Sequence, residues 1–259
     1  KASLTTRNLS TTPVIMTMHG RFNDAKTSLF SGLKNPHLVT ISNAQAKLNP
    51  DINYAGTVYN GLNMKNYPFS KTHDGYLLYV GRISFQKGVH FAMDIAETLK
   101  IPLIMAAKLD NEERPYFEKY IKPRLGSKYV KWIGEVDEQK RNELMSRAMC
   151  FLHPITWSEP FGLTLIESMA CGCPVVAFEN GSIPEIILDA KTGYISKDVR
   201  GMMDDITAID KIKRSDCREH VLKNFNEQQM TDGYERLYYE IIELHKVRRL
   251  SDKIDSRFE

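Results

Sequence analysis

A chain of 259 residues is long enough for one large domain, or for one complete domain with part of another, and too long for a disulfide-stapled miniprotein. With 42% hydrophobic and 26% charged residues it can bury a sizeable core, which excludes disorder as the dominant state. Its 35 Lys and Arg against 32 Asp and Glu leave a net charge of +3, which excludes a nucleic-acid binder held by phosphate neutralisation.

In chain order, short apolar runs ending in turn signals predict buried strands at 14–18 before His19-Gly20, at 37–42, and at 56–59 before Asn60-Gly61. The polar stretch that follows, with Pro68, Ser70 and Gly75, lacks periodicity and reads as a linker over 63–75. It would separate a partial N-terminal domain, 1–62, from a second domain, 76–225. There, strands at 76–80, 102–107, 129–133, 150–153 and 174–178 alternate with helices at 88–100, 112–122, 138–148 (capped by Asp137) and 162–171. The alternation predicts an α/β fold, a parallel sheet with helices on both faces, and ligands at the carboxyl ends of the strands. The tail is helical from Met202. Over 226–259, Tyr234, Leu237, Tyr238, Ile241, Ile242 and Leu244 form an apolar stripe expected to pack back across the domains. Lys246, Arg248 and Arg249 are expected to solvate that helix.

Cys150, Cys171, Cys173 and Cys217 lie in or beside apolar runs without zinc-site spacing, so they read as small core residues in a reducing, cytoplasmic setting. No apolar run reaches the roughly 18 residues of a membrane span, and membrane contact is peripheral at most. The start at Lys1, in a polar lead, is the one expected of a fragment or processed form.

The chemistry concentrates in two stretches. In Glu159-Pro-Phe-Gly-Leu-Thr-Leu-Ile-Glu167 two carboxylates straddle a loop-to-helix junction. The amides of Gly162 and Leu163 would be among the helix's unpaired donors, where a phosphate oxygen binds. Glu167, more than one turn inside, can accept from the neighbouring hydroxyls of a ribose, and Glu159 faces whatever follows the phosphate. In Gly81-Arg82-Ile-Ser-Phe-Gln-Lys87-Gly88, Gly81 permits a tight turn and two cations stand at the same sheet edge. They would offset the charge of a departing nucleotide diphosphate, a task that elsewhere falls to Mg²⁺. No Asp-x-Asp occurs and no metal site is expected. His153, before Pro154, reads equally as a ligand-facing residue or a capped strand end.

Together with Ser168-Met-Ala-Cys-Gly-Cys-Pro-Val-Val-Ala177, Asn60-Gly61, Gly181-Ser-Ile-Pro-Glu185 and Thr192-Gly-Tyr194, these stretches resemble the retaining nucleotide-sugar glycosyltransferases of family 4, over roughly residues 13 to 245. The resemblance implies a GT-B fold whose C-terminal domain holds a sugar donor. Arg82 and Lys87 would bind the diphosphate, Gly162 and Leu163 would offer it amides, Glu167 would hold the ribose, and Glu159 would contact the sugar near the reacting carbon. The base would pack near Trp132, Ile133, Gly134 and Val136. His19 would reach the donor sugar from the acceptor domain.

The activity implied is metal-independent transfer of a sugar, with retention, to an acceptor hydroxyl on a sugar, a lipid-linked or a small molecule. No cofactor is implied, the nucleotide sugar being a substrate, with UDP the first expectation for its nucleotide and GDP the second. The rivals are a nucleotide-sugar binding or regulatory module without turnover, and an epimerase of related fold, against which the Gly-Arg-x4-Lys-Gly loop argues. The family carries a longer N-terminal region with a Gly-rich loop, so an N-terminal half is expected as a missing partner. It also has Ala where this chain has Ser168, and commonly Gly in place of Ser182.

Overall fold

The computed structural model describes residues 12–20 and 37–255, with side chains as far as Val247. The polar lead over 1–11 and the side chains of Arg248 and Arg249 lie outside the described residues. Two compact units divide the rest: one takes the residues up to Asn60 and those from Gln228 on, the other runs from Gly61 to Glu227.

In the first unit, β1 (Ile15–Met18), β2 (His37–Thr40) and β3 (Tyr54–Thr57) form a parallel sheet in that order, with the short helix α1 (Asn43–Lys47) between the last two. Ser42 caps α1, its hydroxyl accepting from the Gln45 amide at 2.9 Å.

The second unit is built on six parallel strands, β4 (Leu77–Arg82), β5 (Leu103–Lys108), β6 (Val130–Gly134), β7 (Cys150–His153), β8 (Val175–Phe178) and β9 (Gly193–Ser196). Between and after them come α2 (Val89–Leu99), α3 (Glu138–Arg147), α4 (Leu163–Ala170), α5 (Ile183–Ile186), α6 (Val199–Thr207) and α7 (Arg214–Asn224). β7 and β8 are buried at every position, β5 at four of its six and β4 at its first three, which is why they read as continuous apolar runs. Leu77, Leu78, Met93, Ile95, Leu103, Met105 and Phe151 are fully buried there, each worth about 1.5–3 kcal/mol of transfer free energy.

The strand order is β6-β5-β4-β7-β8-β9. The chain therefore builds outward from β4 on one side, then restarts at β7 and builds outward on the other. β4 and β7 are neighbours, pairing Leu77 with Cys150 and Leu78 with Phe151, yet the loops that follow them leave in opposite directions. A crevice opens at their carboxyl ends, and this is where the fold places a ligand.

Three segments differ from the sequence expectation. The helix over 112–122 is broken into a 3-10 turn (Asn111–Glu113), one α-turn (Arg114–Tyr116), a π-turn (Phe117–Ile121) and a second 3-10 turn (Lys122–Arg124). Pro115 is harmless in a first turn, but Pro123 has no N–H to return to Lys119 and its ring crowds that carbonyl, so the helix widens and stops. β9 carries no strand signal in sequence; it is four residues long and opens on Gly193, where a Cβ would collide with the Val175 carbonyl oxygen. Helix α6 starts three residues before Met202, with the Asp198 carboxylate accepting from the Gly201 amide at 2.8 Å.

The last helix, α8 (Glu227–Asp255), packs by only part of its expected stripe. Leu237 meets Val39 and Val58, flanked by Ile15, Met230 and Tyr234, and Ile241 is buried one turn on. Tyr238, Ile242 and Leu244 are exposed, although Leu244 falls three residues after Ile241, on the same face one turn further on. Lys246 pairs with Glu243 at 2.7 Å. No helix among the described residues is long and apolar enough to cross a membrane.

Candidate active site

The crevice brings a cation from one half of the sheet to an acid from the other. After Arg82 the chain returns through Gly88, whose φ of 70° lies in the left-handed region and whose Cβ, if present, would collide with the Pro154 carbonyl oxygen. The loop after β4 is thereby laid against the chain leaving β7. Lys87 Nζ lies 2.9 Å from Glu159 Oε2 and 5.1 Å from the centre of the Trp157 ring. Both charged side chains are largely buried, 21% and 12% exposed. His153, the last residue of β7, holds Nε2 4.0 Å from the same Glu159 oxygen. That nitrogen is buried without a hydrogen-bond partner. Burial, with the Lys87 charge beside it, pulls the imidazole down to about 3, so it is neutral at physiological pH.

Arg82 pairs elsewhere: its Nη1 lies 3.8 Å from Asp110 Oδ2, while Lys108 Nζ approaches the other oxygen of Asp110 at 3.4 Å. Its side chain is mostly exposed, and Gly81 precedes it at the end of β4.

Glu159 and the start of α4 are braced from β8. The Ser182 amide donates to the Glu159 carbonyl at 3.0 Å, and the Ser182 hydroxyl to the Phe161 carbonyl at 2.9 Å. Gly181 must be glycine there, because a Cβ would collide with the Glu159 backbone. Gly162 then turns the chain into α4 with φ 82°, and no side chain caps the helix. The first amides of α4, from Leu163 on, thus stand at the carboxyl edge of the sheet, at the positive end of a helix. Leu163 is itself exposed.

Inside α4, Glu167 is 8% exposed. Its Oε1 accepts from Arg141 Nη2 at 2.9 Å, and its Oε2 is buried with no partner. Burial raises this carboxyl above its ordinary range; Arg141 opposes the rise and Glu138 adds to it. A carboxyl oxygen left unused in this way is an acceptor for a ligand hydroxyl.

The remaining predicted positions lie farther out. Ile133 and Gly134 end β6, the edge strand, and the Trp132 indole N–H is spent on the Ala107 carbonyl at 2.8 Å. His19 belongs to the other unit, where it is exposed just after β1. The buried Gln45 amide clamps the turn around it, donating to the carbonyls of Met18 and Gly20, both at 2.9 Å.

The structure thus joins Lys87 to Glu159 and sets Gly162, Leu163 and Glu167 in line on one helix start. It sends Arg82 and Lys87 to different acids. The sequence reading misses Arg141, Asp110, Trp157 and Gln45. Arg141 is one charge among many on a polar helix and carries no signal, whereas Trp157, one of two tryptophans and two residues from Glu159, could have been marked. The four cysteines are buried and unpaired, and burial pushes the Cys171 thiol up to about 12.

A family model described as Glycosyl transferases group 1 matches residues 63–229. Glycogen synthase of Mycobacterium tuberculosis (strain ATCC 25618 / H37Rv) is 25% identical over 199 residues, covering 70% of this chain and 47% of that protein. N-acetyl-alpha-D-glucosaminyl L-malate synthase of Bacillus anthracis is 32% identical over 123 residues, 44% of this chain and 31% of that one. The chain spans about half the length of the first of these curated relatives and about a third of the second. The crystal structure of Anabaena HepE in complex with UDP and glucose matches with a TM-score of 0.80 at 17% identity, over 92% of this chain and 74% of that one. That likeness is one of fold, the α/β parallel-sheet fold of the GT-B glycosyltransferases. The matched residues hold the whole crevice, from Arg82 and Lys87 to Glu159 and Glu167, and the chain belongs to the glycosyl transferases group 1 family.

Proposed function

We propose that this chain carries the donor site of an enzyme that moves a sugar from a nucleoside-diphosphate sugar to an acceptor hydroxyl, with retention at the anomeric carbon and without a metal ion. The observation that carries the reading is the order of groups along one crevice: the Lys87–Glu159 pair, the uncapped start of α4, then the unpartnered oxygen of Glu167. A nucleotide sugar presents its parts in the same order. Glu159 faces the sugar, Lys87 and the α4 amides face the diphosphate, and Glu167 takes the ribose hydroxyls.

Lys87, Arg82 and the helix start stabilise the charge that develops on the leaving diphosphate, while the acceptor attacks from the face that the diphosphate leaves. The absence of Asp-x-Asp from the sequence supports a site that works through side-chain cations. HepE, crystallised with UDP and glucose, supports UDP as the nucleotide, with GDP second. The acceptor hydroxyl belongs to a sugar, a lipid-linked or a small molecule. The buried, unpaired cysteines support a cytoplasmic setting.

Calorimetric titration with UDP, GDP, ADP and dTDP in excess EDTA tests this. One nucleotide, UDP first, binds the wild type, and Glu167→Ala and Arg82→Ala each weaken it by at least about tenfold, or ~1.4 kcal/mol. A folded chain that binds none of the four overturns the reading.

A further inference from the structure

This inference rests on the donor site proposed above and concerns its charge balance. A diphosphate seated at the start of α4 competes with Glu159 for the Lys87 ammonium, and it brings more negative charge than a single carboxylate. Glu159 would then lose its cation while 12% exposed, and a buried carboxylate without a partner is costly.

Among the described residues, one other group is placed to replace Lys87. His153 Nε2 lies 4.0 Å from Glu159 Oε2, buried, with no hydrogen-bond partner. Beside the imidazole, β8 contributes Ala177 in register, and the Phe151 ring lies 5.7 Å away. Among the described residues, the charged groups that face it are Glu159 from the loop before α4 and Lys87 from the loop after β4. The imidazole is held neutral by burial and by Lys87; once the phosphates engage that ammonium, the second cause is removed, and an unpaired carboxylate draws a proton in.

We propose that His153 is the positioning residue of the donor site: when a nucleoside diphosphate takes Lys87, His153 accepts one proton from solvent at Nε2 and becomes the cationic partner of Glu159. One N–H bond forms, no other covalent bond changes, and the proton returns to solvent when the nucleotide leaves. His153 acts through Glu159, holding that carboxylate fixed at the sugar end of the crevice.

Titration of the intact chain with UDP at pH 7, in buffers of different ionisation enthalpy, counts the protons. The wild type takes up about one proton more per UDP than His153→Gln, which keeps an N–H donor without a basic site. Taking the difference cancels the titration of the UDP phosphate itself. The wild-type affinity correspondingly gains on the variant's as pH falls, by up to about tenfold per pH unit. NMR of the histidine ring carbons needs no variant: adding UDP moves the His153 titration upward. Equal proton counts in the two proteins, or an imidazole that stays neutral at saturating UDP, overturns the proposal and leaves UDP binding standing. A folded wild type that binds no nucleotide overturns both this proposal and the donor reading.

Discussion

At Lys87 and Glu159 two charges are taken out of most of their water and held 2.9 Å apart. Such a pair offsets its own desolvation only while both partners are present. Glu159→Gln and Lys87→Met are each expected to lower the unfolding free energy by ~3 kcal/mol, and the double variant to lose less than the sum. Urea unfolding of the four proteins checks this, and additive losses would show that the pair does not interact. His153 gives a pH signature. The unfolded imidazole takes its proton near 6.5, the folded one at about 3, so between those values the unfolded chain binds more protons and stability falls as pH falls. The loss from pH 7 to pH 5 is about 2 kcal/mol, and His153→Phe flattens that slope in a plot of Tm against pH. An unchanged slope would assign the acid sensitivity to other groups. At this scale the sequence shows Glu159 and Glu167 because their spacing straddles a helix start. Arg141 is invisible, since nothing local ties a residue of α3 to one 26 positions on.

Elements set the angles at which those residues meet. The start of α4 depends on Gly162, where φ is 82° and a Cβ would stand 2.7 Å from the Leu165 side chain. Gly162→Ala is expected to cost about 1–3 kcal/mol of stability and, on the proposed donor site, to weaken UDP binding, because the strain is relieved by moving the first amides of α4. Unfolding and titration on the same variant decide it; unchanged affinity would separate the helix start from the ligand. Legibility at this scale follows periodicity. Helix α3 is visible from its cap, with Asp137 accepting from the Lys140 amide at 2.7 Å. The break before Pro123 is hidden because a proline disturbs the turn that precedes it. In α8 the stripe shows that one face packs but not how wide that face is; Leu237 and Ile241 are covered while Ile242 is not.

For the whole molecule, the alternation of strands and helices makes the α/β class legible. The strand order is not, because which strands become neighbours depends on pairings between distant segments. The crevice itself is a product of that order: β4 and β7 lie side by side although more than sixty residues separate them. All the groups assigned to the nucleotide lie in the unit from Gly61 to Glu227. A protein made of those residues alone is expected to bind UDP within about threefold of the whole chain, ~0.6 kcal/mol. A larger loss in a folded product would place part of the nucleotide's binding in the other unit.

The Leu62 amide donates to the Phe225 carbonyl at 2.8 Å, and the Glu227 amide to the Leu62 carbonyl at 3.1 Å. The chain therefore enters and leaves the larger unit at a single clasp. A unit whose two ends meet is an insert within its host, and removing or exchanging it leaves a gap that a short bridge closes. Recombination at that clasp would move the whole larger unit, with every residue of its crevice, onto another protein's frame in a single event.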